Sequence, residues 1–330
     1  MSSLTERAET AIVSTNERDR PASLRRRDHE PWAARLRPLA GYLLLSPALA
    51  TLVVFYYIPA ALLFYIAFFH WNLYGGSSPF VGLGNFQTLV NQPLFWQSLL
   101  DTAYYVAVMV PATLLLSLAL ALLLREGARQ LRGGLTQALI FLPHVTPIVA
   151  TSIIWIWVFN PHFGLANYLL HLVGLPQLGW LESTRWALPA VMIYSLWHSV
   201  GLYMVLFLAG LATIPERVVE AARIDGAKGF ALLRRVIWPL LAPTTFVVLV
   251  LVTVSALQAF SQIYTMTGGP HGGAGGPAFS TTTDAVLIYQ TAFIYQHFSL
   301  AAAMSLILFL LLLGITAVQK WLASKWVFYQ

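Results

Sequence analysis

Three polar patches interrupt an otherwise apolar chain, and their residue types suit hydrogen bonding more than bond breaking. His144 follows Pro143 directly. Ser195, His198 and Ser199 fall within about one helical turn of each other. Ser255, Gln258 and Gln262 are spaced by three and four, which puts them on one face of a helix. All are uncharged donors and acceptors, and Trp155, Trp157, Trp197 and Phe260 lie close by in sequence. Such a set would hold a neutral, polyhydroxylated ligand. The same groups also serve as hydrogen bonds between packed membrane helices, and any one residue alone is explained as well that way. Convergence of three separate segments favours a site.

A second constellation is charged. Glu220-Ala-Ala-Arg-Ile-Asp-Gly-Ala-Lys-Gly-Phe-Ala-Leu-Leu-Arg-Arg-Val-Ile-Trp-Pro239 is helix-prone, broken by Gly226 and closed by Pro239. Pro215 suits a first helical turn. Glu216 and Glu220 favour the N-terminal half, and Arg234 and Arg235 the C-terminal end of a second helix. Two short helices with a bend form a knob that could dock on a soluble partner. A helix lying on anionic lipid would explain the Arg residues but not Glu220, Asp225 or the Gly bend.

Other chemistries lack their residues. The only lysines, Lys228, Lys320 and Lys325, complete no G-x-x-x-x-G-K-[ST] phosphate loop. No H-E-x-x-H motif and no Cys is present, so metal and thiol chemistry have no ligand set, and no cofactor is expected on this chain. Ion-coupled carriers need ionisable groups at membrane depth. The spans are almost free of charge; Asp101 lies at an extracellular end and is read as a solvated helix terminus.

The elements that must position these groups follow from composition. At 58% hydrophobic and 10% charged residues, the chain cannot bury its apolar surface in water, so the bilayer is its solvent. Apolar runs long enough to span occur near 42–69, 102–124, 136–159, 186–213, 240–264 and 298–319. Eighteen of the nineteen Lys and Arg fall in the tail 1–37, the loops 125–134 and 214–239, and the C-terminal end; Arg185 alone lies on the other side. The positive-inside rule puts both termini and the Glu220 loop in the cytoplasm. The basic excess reflects that orientation and not a nucleic-acid partner. The tail 1–37 mixes bases and acids and is expected to be disordered. Residues 38–330 form an all-α polytopic domain with an uncleaved first span.

From Glu220 the chain resembles the EAA motif of the membrane subunits of binding-protein-dependent ABC importers. Glu220, Ala221 and Ala222, then Gly226, Val236 and Trp238-Pro239, fill the motif's places. Asp225-Gly226-Ala227 is the sugar-importer version. Phe80-Val-Gly-Leu-Gly-Asn-Phe86, Phe141-Leu-Pro143, Trp155-Ile-Trp157, Gly164-Leu-Ala-Asn167, Thr267-Gly-Gly-Pro270 and Thr281-Thr282-Thr283 continue the likeness to one permease type of the maltose and glycerol-phosphate uptake branch. His271-Gly-Gly-Ala-Gly-Gly276 is an insertion relative to it.

The resemblance implies a type I importer permease fold with six spans, in the plasma membrane of a bacterium. Its partners would be a second homologous permease, two ATP-binding subunits that hold ATP and Mg, and an extracellular substrate-binding protein. Glu220, Ala221, Ala222, Asp225, Gly226 and Ala227 would couple to the ATPase. His144, Ser195, His198, Ser199, Leu202, Ser255 and Gln258 would line the substrate pathway, and Gly268, Gly269 and Pro270 would meet the binding protein. The cargo would be a sugar or related polyol, glycerol-phosphate derivatives included. An ion-coupled carrier or channel acting alone, and a membrane scaffold or sensor recruiting a cytosolic protein, stay open as alternatives.

Overall fold

Long apolar runs without water have one economical solution, the helix, which satisfies every backbone donor within its own segment. A computed structural model describes residues 31–71, 75, 78–127, 131–268 and 275–325, and among them the chain is helices joined by turns and short loops, with one isolated bridge between Phe69 and Phe80. The chain divides into two units, residues 1–61 and 62–330.

Among its described residues the first unit is one continuous helical run. α1 (Pro31–Leu52) passes through a π-helical turn, Val53–Tyr57, into α2 (Ile58–Ala67), which crosses the unit boundary. Leu43, Leu44, Phe55 and Tyr56 are exposed, as lipid-facing side chains would be. Residues 1–30 of the expected tail lie outside the described residues.

The second unit holds the remaining spans. A short α3 (Gly84–Val90) precedes α4 (Pro93–Gly127). α4 begins well before the apolar run that announces it. Pro93 suits a first turn, and Asp101 interrupts the hydropathy without interrupting the helix. Asp101 therefore sits inside the helix, half-buried, and not at a solvated terminus as expected; its Oδ2 is buried without a hydrogen-bond partner.

The third span is not one helix. α5 (Leu131–Val145) and α6 (Ile148–Val158) meet at 97°. Pro147 lacks an N–H and pushes Thr146 out of the helical region. Thr146 turns back instead, its hydroxyl donating to the Pro143 carbonyl at 2.6 Å. Five helices long and apolar enough to cross a membrane are thus present among the described residues, and six spans if the bent pair counts as one.

α7 (Leu165–Leu172) leads to α8 (Ala187–Ala212), the most buried span. α8 packs on α4 and α5. At Gly201 the backbones approach so closely that a Cβ would lie 2.8 Å from Phe141 Cα, the use that small residues have at membrane helix crossings. After α8 come α9 (Glu216–Ile224), α10 (Gly229–Leu232), a π-helical turn Leu233–Ile237, and α11 (Trp238–Leu240). The fifth span is α12 (Ala242–Leu257) followed, after a break at Gln258–Phe260, by α13 (Ser261–Thr267). α14 (Asp284–Tyr289), a π-helical turn Gln290–Ile294 and α15 (Phe298–Ala323) are the last elements among the described residues.

Two of the buried clusters in this unit bear on the site. One gathers Tyr105, Met109, Leu188, Val191, Tyr194, Ile263 and Val286. The other joins Leu118, Phe207, Leu211 and Leu241 of the spans to Val219, Leu232 and Ile237 of the segment after α8. That segment is thereby fastened to the spans by apolar contact.

Candidate functional site: a polar cavity and a surface knob

A cavity of about 340 Å³ opens among α4, α5, α8, α12 and α13. This size lies within the range of about 300–1,000 Å³ usual for small-molecule sites. His144, Ser195, His198, Ser199, Leu202, Ser255 and Gln258 all line it, as do Gln262 and Phe260. They reach it differently from the sequence expectation. The single helix face expected for Ser255, Gln258 and Gln262 does not exist, because α12 ends at Leu257. Gln258 occupies its C-cap (φ −98°, ψ 13°), and Gln262 comes from the next helix. The break turns both glutamines to the same space.

The α5–α6 bend does the same for the histidines. His144 and His198 face each other with ring centroids 5.6 Å apart, and His198 Nε2 lies 3.4 Å from the Thr146 carbonyl oxygen. His144 Nδ1 is buried without a partner. Ser195 Oγ, beside the Tyr105 hydroxyl, makes no bond of good geometry. Ser199 is satisfied on its own helix, donating to the Ser195 carbonyl at 2.7 Å.

Three tyrosines complete the wall, and sequence reasoning missed them. Tyr105, Tyr194 and Tyr203 are all buried. The Tyr203 hydroxyl donates to Ser255 Oγ (3.3 Å), and Gln262 Nε2 donates to the Tyr105 hydroxyl (3.3 Å). Tyr194 donates to the Ile148 carbonyl at 2.8 Å and accepts from Thr151 at 2.7 Å. Helix-to-helix bonding and a polar lining therefore coexist in the same residues. Of the four nearby aromatics, only Phe260 reaches the cavity. Trp155 packs behind the wall against Tyr194 and Trp197, and Trp157 is 66% exposed.

The knob is built on one glycine. α9 starts after extended Pro215 with Glu216 in its first turn and ends at Asp225. Gly226 follows with φ +87°, donating to the Arg223 carbonyl at 3.1 Å, while Ala227 N–H donates to Ala222 O at 2.9 Å. These two bonds form a complete Schellman motif, which needs a left-handed residue at this position. Glu220, Ala221, Asp225 and Gly226 are exposed, and Ala222 and Ala227 are half-buried against the spans. Ile224 and Phe230 stand out from the knob at 86% and 74% exposure, two apolar side chains that motif reading passed over.

The loop between the last two spans is strapped down by hydroxyls. Gly268 closes α13, its N–H donating to the Tyr264 carbonyl at 2.9 Å; Gly269 and Pro270 lie outside the described residues. Beyond them Thr281 donates to Thr267 Oγ1 at 2.9 Å, and the Asp284 N–H donates to Thr102 Oγ1 of α4 at 2.8 Å. Asp284 is fully buried and its carboxyl oxygens have no partner of good geometry. Burial pushes its pKa up to about 7, the neighbouring Ser98 hydroxyl holding it back only in part. That hydroxyl is already engaged by the Phe95 carbonyl at 2.8 Å.

An all-helical, multi-pass membrane protein with a polar cavity among its spans and a knob fastened beneath them is a transport component. The family model for "binding-protein-dependent transport system inner membrane component" matches residues 117–327. The chain belongs to that family, the permeases of ABC importers, and this decides against a carrier working alone and against a scaffold. It is 33% identical over 279 residues to the trehalose/maltose transport system permease protein of Thermococcus litoralis, covering 84% of this chain and 91% of that one. It is equally 33% identical over 291 residues to the sn-glycerol-3-phosphate transport system permease protein of Agrobacterium fabrum, covering 87% and 96%. In fold it is similar to a chain of a bacterial ABC transporter involved in the import of the acidic polysaccharide alginate, with a TM-score of 0.77, 22% identity, and 89% and 98% of the two chains covered.

Proposed function

We propose that this permease carries a sugar or related polyol into the cytoplasm, one half of a translocation pathway whose other half is a second, homologous permease. The polar cavity carries the reading. Hydroxyl groups leaving water need replacement partners, each costing about 1–3 kcal/mol if left unmade. The wall offers imidazole, carboxamide, serine and phenol groups from several spans. Its relatives are named for cargoes of that kind, trehalose or maltose and glycerol 3-phosphate.

The energy comes from ATP held with Mg on two partner subunits. The knob, with Glu220 and Asp225 exposed and Ile224 and Phe230 protruding, docks into them. Its apolar attachment to α4, α8 and α12 passes their movement to the cavity. The distribution of Lys and Arg supports a cytoplasmic knob and cytoplasmic termini in a bacterial plasma membrane. An extracellular binding protein delivers the cargo, meeting the loop around Gly268, Gly269 and Pro270.

The test is ATP hydrolysis by the complete complex in proteoliposomes, with its binding protein and a panel of sugars and glycerophosphodiesters. Stimulation by at least one polyol, accompanied by its uptake, is expected. Stimulation only by an amino acid or an inorganic ion would overturn the carbohydrate reading.

A further inference from the structure

The cavity has polarity without charge. None of the residues lining it is Lys, Arg, Asp or Glu. The helices that supply most of the wall, α6, α8, α12 and α13, contain no such residue along their whole length. On α4 the nearest base is Arg125, twelve residues beyond Thr113, or about 18 Å along the axis. On α5 it is Arg132, twelve residues from His144 and again about 18 Å away. On α4 the nearest acid is Asp101, one turn from Tyr105, and its carboxylate would repel an anion.

From this we infer that the pathway through this subunit takes an uncharged polyhydroxylated substrate and rejects its phosphorylated, sulfonated or carboxylated counterpart. The inference rests on the carbohydrate reading above and narrows it, since relatives of this chain are named for both neutral and anionic cargo. An anion drawn from water into an apolar wall needs a fixed opposite charge or several convergent donors, and without them the desolvation cost dominates. Here the donors are spread around the cavity and partly engaged with each other. Tyr203 is committed to Ser255, and Gln262 to Tyr105. A sugar hydroxyl, which both donates and accepts, can join these pairs; a phosphate, which only accepts, cannot use their acceptor sides. Of the groups without a strong bond, the Ser195 hydroxyl can donate and accept, and His144 Nδ1 is a further polar atom open to a ligand hydroxyl.

The test uses the complete transporter in lipid nanodiscs without its binding protein, so that the upstream filter plays no part. It is run at about pH 8, where unperturbed imidazoles are neutral. Equilibrium binding is measured for matched pairs: trehalose and trehalose 6-phosphate, maltose and maltobionate, glycerol and sn-glycerol 3-phosphate. At least one neutral member is expected to bind, with its anionic partner about tenfold weaker or more, which corresponds to about 1.4 kcal/mol. Ser255→Arg, or Ser261→Arg should the first variant not assemble, is expected to narrow that gap. An anionic member binding within tenfold of its neutral partner overturns the charge rule and leaves the carbohydrate reading standing. Failure of every member to bind overturns both. A gap unchanged by the added Arg places the discrimination elsewhere in the complex and overturns it for this subunit.

Discussion

Gly226 shows what a single residue decides. A Cβ there would meet nothing within 4 Å, so no neighbour in this chain forbids a side chain; the φ of +87° does. A left-handed conformation costs an L-residue about 1–2 kcal/mol, more for a β-branched one, while Asn visits it readily. Gly226→Val is expected to cut ATP-driven uptake at least about tenfold with normal membrane insertion, because the bend carrying the knob is lost while span packing is untouched. Gly226→Asn is expected to keep most of the activity. Equal uptake by wild type and the Val variant would remove the knob from coupling. At the same scale, Asp284 predicts a pH dependence. Its folded pKa, about 7, lies above the unfolded value, 3.8, so the folded protein holds its proton longer. That contribution to stability is complete below about pH 4 and declines as pH rises toward about 7. Thermal unfolding of the purified complex between about pH 5 and 8 is expected to show a falling melting temperature that Asp284→Asn flattens. An unchanged slope in the variant would assign the dependence to other groups.

Among the elements, the interrupted ones matter most for the site. The spans were legible because a run of about 20 apolar residues is stable in few settings besides a bilayer. The knob was legible because charge marks it out, Gly226 marks its bend and Pro239 its end. The breaks were not. Pro143 and Pro147 were visible, but a membrane helix tolerates proline when neighbours satisfy the freed carbonyls, so their presence alone did not announce the 97° bend. The end of α12 at Leu257 has no proline or glycine to announce it, so the spacing of Gln258 and Gln262 reads as one face. Tyr105 and Tyr203 were hidden by a different cause: a tyrosine in an apolar run has no polar periodicity to show which way it faces. The bend itself is open to test. Pro111 lies inside continuous α4, whereas Pro147 begins α6 at the 97° junction. Pro147→Ala is expected to lower uptake about fivefold or more by loosening the approach of His144 to His198, and Pro111→Ala by less than about twofold. Equal effects would mean that the bend does not shape the pathway.

At the largest scale, the cavity and the knob belong to the same unit, residues 62–330. Phe207, Leu211 and Leu241 join the helices around the first to Val219 and Ile237 of the second. The proposed orientation rests on the placement of Lys and Arg, and the absence of Cys makes it easy to check. A cysteine introduced at Glu220 should react with an impermeant reagent only in inside-out vesicles, and one at Glu182 only in right-side-out vesicles; the reverse pattern would invert the topology.

The central claim is that this chain both contacts the cargo and couples to ATP, through different residues. Radiolabelled uptake and basal ATP hydrolysis measured together in the reconstituted complex test it most directly. Gln258→Leu removes a donor and an acceptor from the cavity wall and leaves the knob intact. Uptake is expected to fall about tenfold, with basal hydrolysis within about twofold of wild type. Normal uptake by Gln258→Leu, Ser255→Ala and His144→Ala alike would contradict the account, leaving the polar wall as helix-to-helix bonding and the cargo in the hands of the partner permease.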